Sequence, residues 1–250
     1  MEKLGLIAGK GKLPRLWCQK AKKSGFEVIA FPVISEYETL KKYADKTYAI
    51  NMGELTRLIA LLKENEVSSL VMLGKVEKKQ IFDDFQPDKK MKYLLSNLEN
   101  LDDENILTGI ADKIEAEGIS VLSQSFLLTD LFPKSGLLTE AEPAPEVMED
   151  MRYGFIKARG IGQLEIGQTV IVKNKTVLAV EAVEGTDAAI QRGGKLGQEG
   201  VIMAKVSRPG QDFRFDIPTI GLNTLKNLKK VKARGLVIEA DRTFLLDKEK

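Results

Sequence analysis

The sequence contains no histidine and a single cysteine, Cys18. The first absence excludes a Ser-His-Asp or Cys-His catalytic set and any histidine-ligated metal. The second excludes an intrachain disulfide and a zinc site built from several thiolates, and fits a reducing compartment. Catalysis by this chain therefore falls to Asp, Glu, Lys, Arg, Ser, Thr, Tyr, backbone amides, or a hard ion such as Mg²⁺ or Mn²⁺ held through oxygen. Cys18, beside Trp17 on a helical segment, reads as a small buried hydrophobe.

One-sided charge is also missing. With 38 basic against 36 acidic residues the net charge is +2, so no nucleic-acid partner is expected. No stretch approaches the ~20 apolar residues of a membrane span, and Met1-Glu2-Lys3 runs into a strand-like segment without a signal-peptide pattern, so a cytoplasmic location is expected. Aromatics are few at 6%, yet 43% hydrophobic residues are enough for real cores, and 250 residues suit two domains at roughly 100–200 residues each.

What is present has a clear order. Leu4 to Ala8, Val28 to Phe31, Lys46 to Ile50, Leu70 to Leu73 and Ile119 to Leu122 read as strands. Helical stripes lie between them: Leu13, Leu16, Trp17 and Ala21; Leu55, Leu58, Ile59 and Leu62; Ile106, Ile110 and Ile114. This alternation predicts βαβ units, a parallel sheet and ligand loops at the strand C-termini. From Phe132 the texture changes: Pro133, Gly136, Pro143 and Pro145 mark a linker over 132–145. Beyond it, the spacing predicts a helix from Glu146 to about Ala158 closed by Gly160 and Gly162. A hairpin follows, with strands Thr169 to Lys173 and Val177 to Val183 about an Asn-Lys turn. Strands over Val201 to Val206, Leu236 to Glu239 and Thr243 to Leu246, with a helix near Leu222 to Arg234, complete the second half. The expected fold class is α/β: a Rossmann-like parallel-sheet domain over 1–131 and a mixed α+β domain over 146–250.

Several motifs bear on chemistry. Gly9-Lys10-Gly11 lies between the first strand and the first helix, where small residues let amides approach a phosphate and the helix N-terminus adds partial positive charge; a plain tight turn is the other reading. Pro14 stands where a third glycine would complete a dinucleotide fingerprint, which disfavours a nicotinamide cofactor. Gly74-Lys75-Val76 follows the fourth strand at the same predicted edge, so Lys75 meets the same anion or is a solvated loop lysine. Asn51-Met52-Gly53 is ambiguous in the same way.

In the second half, Glu181-Ala-Val-Glu184-Gly-Thr186-Asp187 leaves an apolar strand and runs into a helix start, with Thr186 or Asp187 as its N-cap. Arg192-Gly193-Gly194-Lys195 follows. Carboxylates beside a glycine-flexed basic segment suit a Mg²⁺-diphosphate complex. In Gln211-Asp212-Phe213-Arg214-Phe215-Asp216-Ile217-Pro218, an extended chain puts Asp212, Arg214 and Asp216 on one face and the apolar residues on the other. That pattern fits a salt-bridged strand or an active-site edge. Thr219, Gly221 and Thr224 are expected to open the next helix, whose lysines form a solvated face or touch anionic lipid.

These segments carry a family resemblance. Leu4 to Pro14, Ile166-Gly-Gln-Thr-Val170, Val180 to Ile190 and Gln211 to Gly221 resemble the LpxI family, UDP-2,3-diacylglucosamine diphosphatases of bacterial lipid A biosynthesis. The resemblance implies two domains, commonly a homodimer, with the substrate between domains. It also implies Mg²⁺-dependent (or Mn²⁺-dependent) hydrolysis of UDP-2,3-diacylglucosamine to UMP and 2,3-diacylglucosamine 1-phosphate, with transient contact at the cytoplasmic face of the inner membrane. Asp212 and Asp216 are the implied catalytic and metal-binding carboxylates, joined by Glu184 and Asp187. Gly9, Lys10, Gly11, Lys75, Thr186, Arg192, Arg214 and Thr219 are the expected phosphate contacts. A non-catalytic nucleotide-sugar or acidic-metabolite binding module is the alternative.

Overall fold

The computed structural model describes residues 1–75 and 85–248, so Val76 lies outside the described residues. The chain divides into two compact units: Met1–Leu128 with Phe213–Phe215, and Thr129–Asp212 with Asp216–Lys250.

Unit 1 follows the predicted alternation: β1 (Lys3–Ala8), α1 (Leu13–Lys23), β2 (Glu27–Pro32), α2 (Tyr37–Leu40), β3 (Lys46–Thr47), α3 (Leu55–Glu64), β4 (Ser69–Leu73), α4 (Lys89–Ser96), α5 (Asp103–Glu115) and β5 (Ser120–Leu122). The strands form a parallel sheet of order β3-β2-β1-β4-β5. Its near-continuous apolar strands are buried, as a sheet covered by crossover helices requires. The α3 stripe Leu55, Leu58, Ile59 and Leu62 packs into the same core as Ile29, Phe31, Leu70 and Met72. The third strand is shorter than its apolar pattern: only Lys46–Thr47 pairs with β2, and Ile50 makes an isolated bridge with Val33.

The sheet order reverses between β1 and β4, the point where open α/β sheets hold ligands. Here the loops after these two strands bind each other. Lys10 N donates to Lys75 O at 2.8 Å, Lys75 N to Lys10 O at 2.9 Å, and Gly9 N to Leu73 O at 2.8 Å. A Cβ on Gly9 would stand 2.5 Å from Lys75 O, so the glycine is required by the approach of the two loops. Cys18 is fully buried, and burial pushes its thiol up to about 12, consistent with an inert core residue.

Unit 2 contains α6 (Pro145–Gln163), β6 (Thr169–Lys173), β7 (Thr176–Val180), α7 (Thr186–Gly197), β8 (Ile202–Lys205), β9 (Thr219–Ile220), α8 (Leu222–Lys230), β10 (Gly235–Ile238) and β11 (Phe244–Leu245). The main sheet runs β10-β8-β6-β7, parallel between β10 and β8 and antiparallel elsewhere, while β11 and β9 form a separate parallel pair. Strand alternation gives it two cores. Val170, Val172, Ile202 and Ala204 face α6, whereas Ile171, Met203 and Ala179 pack with Ile190 of α7 and Leu228 of α8. Asn174 and Lys175 at the hairpin tip both have positive φ, of 48° and 54°, the conformation a two-residue primed turn needs. The buried Asp150 carboxylate accepts both their amides, each at 2.7 Å, which lets this weaker dipeptide form the turn.

Six further expectations are corrected. Gly160 and Gly162 do not end α6, which continues to Gln163. The buried stripe Val147, Asp150, Gly154, Ala158, Gly162 runs through them, and its packing outweighs a cost of about 1 kcal/mol per glycine. The second hairpin strand stops at Val180, and Val183 is 98% exposed. Gln211 to Pro218 is not extended: Phe213–Phe215 turn, and Asp216 N donates to Asp212 O at 3.2 Å. The reason lies in the buried Gln124, whose N donates to Phe213 O at 2.7 Å and whose Nε2 donates to Phe215 O and Met72 O. Carbonyls satisfied by the backbone amide and side chain of one residue need no neighbouring strand. Thr219 belongs to β9, not to the helix start, and α7 is capped by Gly185 (φ 81°) rather than by Thr186 or Asp187. Gly193 and Gly194 are not a flexible segment but lie buried inside α7, where a Cβ on Gly193 would stand 2.6 Å from Ile171.

Two stability predictions follow from this packing. Gly9→Ala should lower unfolding free energy by about 1–3 kcal/mol in urea melts, because the two loops must separate; unchanged stability would refute the loop-contact explanation. Asp150→Ala should cost about 1–3 kcal/mol, with Asp150→Asn losing less because it retains an acceptor; equal losses from the two variants would contradict the hairpin assignment.

Candidate functional site

In unit 1 the amides of Gly9 and Lys10 are taken up by Leu73 and Lys75 carbonyls, so they are not a vacant phosphate cradle. Gly11 remains exposed, with φ at 122° and open space around its Cβ position, immediately before the uncapped, Pro-containing start of α1. Lys10 and Lys75 meet through their backbones, which brings two cationic side chains to one edge beside Gly11. Arg214 also belongs to unit 1, where it pairs with Glu115 at 3.2 Å and lies over the Phe215 ring at 4.9 Å.

Unit 2 gathers most of the remaining residues at one end of its main sheet. Antiparallel pairing sets Thr169, the first residue of β6, opposite Lys205, the last of β8. Glu181, just past β7, donates its amide to Thr169 O at 2.9 Å, and the chain then turns into α7. Lys205 Nζ donates to Thr186 Oγ1 at 2.9 Å and to Thr169 Oγ1 at 3.4 Å. The Thr186 hydroxyl donates to Glu181 Oε1 at 2.6 Å, while Glu181 Oε2 makes no hydrogen bond and sits 3.6 Å from the ammonium. With Thr186 engaged this way and glycine at the cap, the first turn of α7 has no side-chain cap.

Around that turn, Glu184 accepts from Arg192 Nη2, which also donates to Val180 O at 2.8 Å. Hydrogen bonds from its own amide and from Arg192 hold the Glu184 carboxyl below the usual range, so it is a carboxylate at neutral pH. Asp187 is exposed and accepts from Asn223 Nδ2 at 2.7 Å. On the connection between β8 and β9, Asp216 is exposed, and its Oδ2 accepts from both Gln168 and Gln211. Gln211 is itself fixed by the Arg208 amide on its Oε1. Asp212 is half-buried on the same turn. Thr219 Oγ1 donates to Ile217 O at 2.9 Å.

The structure thus joins Thr186 to Glu181 and Lys205, Glu184 to Arg192, and Asp216 to two carboxamides. Among the described residues, no group of three or more carboxylates and thiols is arranged to hold a metal ion by itself. Sequence reasoning missed Thr169, Glu181, Lys205, Gln168 and Gln211 as site residues. Lys205 alone left a signal, a charge within the otherwise apolar run Val201 to Val206.

Comparison with known proteins bears on these segments. The chain is 31% identical over 266 residues to UDP-2,3-diacylglucosamine pyrophosphatase LpxI of Caulobacter vibrioides, spanning 100% of this chain and 92% of that protein. Among solved structures, UDP-glucose-4-epimerase from Stenotrophomonas maltophila matches 48% of this chain and 35% of its own, with 12% identity and a TM-score of 0.33. An ADP complex of N5-carboxyaminoimidazole ribonucleotide synthetase matches 78% and 44%, with 14% identity and a TM-score of 0.32. Family models of the LpxI N-terminal domain and the LpxI C-terminal domain match residues 3–131 and 134–250. With both domains and a full-length relative matched, the chain belongs to the LpxI family.

Proposed function

We propose that this protein hydrolyses the diphosphate of UDP-2,3-diacylglucosamine, yielding UMP and 2,3-diacylglucosamine 1-phosphate in lipid A biosynthesis. The observation that carries the reading is the full-length match to a protein named for acting on that compound. The polar sheet end of unit 2 supports it: the motif carboxylates collect there without a histidine or a reactive thiol.

The residues fit a hard cation. Mg²⁺ needs only one or two carboxylates, because water and substrate phosphates complete its shell. Asp212 and Asp216 share one turn and would hold Mg²⁺ or Mn²⁺, so the lack of a larger acidic cluster is no obstacle. The ion would neutralise the charge of the diphosphate. The rest is chemistry for the chain itself. Gln168 and Gln211 fix the Asp216 carboxylate through one oxygen. Asp212 orients the attacking water and accepts its proton as a new O–P bond forms; the bridging P–O bond breaks and the leaving phosphate keeps the electron pair. Glu184 and Asp187 complete the polar surround. Arg192 makes both its bonds through Nη2, so the other side of the guanidinium can meet a phosphate oxygen. Lys10 and Lys75 bring two cationic side chains beside Gly11 on unit 1, and Arg214 is a further cation for phosphate. The Gly9 amide and the single hydroxyl protons of Thr186 and Thr219, by contrast, are already donated to Leu73 O, Glu181 and Ile217 O.

The substrate's two acyl chains keep it in a bilayer, at about 0.8 kcal/mol per buried CH₂. The enzyme is proposed to meet its substrate at the inner-membrane surface from the cytoplasm; no helix among the described residues is long and apolar enough to cross a membrane. The exposed Ile156, Leu164, Ile166 and Val183 offer apolar contact for such a visit. It works as a homodimer, as members of this family commonly do.

Purified protein incubated with UDP-2,3-diacylglucosamine should release UMP with Mg²⁺ and none with EDTA. Asp212→Asn should lower kcat at least about 100-fold while its circular dichroism and melting temperature stay close to wild type. Substrate binding without UMP release would point instead to a non-catalytic nucleotide-sugar binding module, and a fully active Asp212→Asn enzyme would remove Asp212 from the mechanism.

A further inference from the structure

Lys205 ends β8 with its side chain only 9% exposed, in a strand whose other residues, Ile202, Met203 and Ala204, are buried and apolar. Sheet packing alone would be served by an aliphatic side chain at this position, and desolvating an ammonium is costly unless partners repay it. Its partners are not scattered. Thr169 begins the neighbouring strand, and Glu181 and Thr186 bracket the turn that carries Glu184 and leads to Asp187. Glu181 and Thr186 are bonded to each other at 2.6 Å, so the cation, the carboxylate and the hydroxyl close a buried triangle across the base of that turn.

A second clamp, the Glu184–Arg192 pair, acts on the outer side of the same turn, but its side chains are 32% and 49% exposed. Exposed pairs of this kind restrain geometry weakly. The buried triangle is therefore the firmer of the two restraints on the turn, holding it at Glu181 and Thr186.

We propose that Lys205 is a positioning residue for the hydrolysis described above: through Thr186 and Glu181 it holds the 181–187 turn in its working geometry. This rests on the proposed activity. A displacement of about 1 Å at a reacting site can cost about 100-fold in rate, which sets the scale of the effect.

The test compares wild type, Lys205→Met and the double variant Glu181→Gln/Lys205→Met, measuring UMP release with Mg²⁺ alongside thermal unfolding. The single variant strands a buried carboxylate and is expected to melt earlier. The double variant removes both charges, keeps a carboxamide acceptor for Thr186, and should regain a melting temperature near wild type. Its kcat should nonetheless stay about 10- to 100-fold down, with KM within about threefold, because the ammonium that holds Thr186 is gone. If the double variant recovers both melting temperature and kcat, Lys205 serves only stability and the proposal is overturned. Retention of wild-type kcat by Lys205→Met overturns it equally. A wild-type protein that releases no UMP fails the functional reading itself, a result distinct from active wild type with unaffected variants.

Discussion

The ammonium of Lys205 is the constraint around which unit 2 is organised at its polar end. A cation buried at the end of an apolar strand must find partners within reach or the fold loses stability. Here those partners come from the start of β6, the exit of β7 and the first residue of α7. Satisfying one charge therefore registers three strands and a helix against one another. Other ion pairs among the described residues are far more open. Lys175–Glu149 and Lys232–Glu199, for example, have both side chains more than half exposed, where screening leaves little net stabilisation.

Glycine plays a different part in this protein from the one its loops advertise. Gly9 lies where a phosphate cradle is expected, yet its amide binds the neighbouring loop and its missing side chain is what lets that loop approach. Gly193 sits beside Arg192 in what reads as a flexible basic segment, yet it is helical and buried against Ile171. In both places a small residue serves close backbone packing. The two roles leave the same letter in the sequence, because each demands only the absence of a Cβ.

Side-chain amides carry much of the arrangement that remains. Gln124 takes up the Phe215 carbonyl through its side chain and the Phe213 carbonyl through its backbone amide, and bends a segment whose alternating pattern otherwise suits a strand. Gln168 and Gln211 converge on one oxygen of Asp216 and orient an exposed carboxylate that would otherwise sample many rotamers. None of the three stands out in the sequence. A glutamine is mostly a surface residue, and only its neighbours in space give its amide a purpose.

The sequence by itself determined the order of strands and helices, the parallel character of the first sheet and the hairpin of the second half, because hydrophobic periodicity is local and survives without the fold. The carboxylates Asp212, Asp216, Glu184 and Asp187 are legible there as motif residues, and the missing histidine closes off its chemistry. Helix α6 ran past its glycines because a buried stripe extending to Gly162 outweighed local propensity. Only the tertiary structure decided that Phe213–Phe215 would turn, that Gly185 would cap α7, and that Lys205 would face Thr186 and Glu181. Each of those outcomes depends on hydrogen-bond partners from elsewhere in the chain, and no spacing rule encodes which donor a buried acceptor will meet.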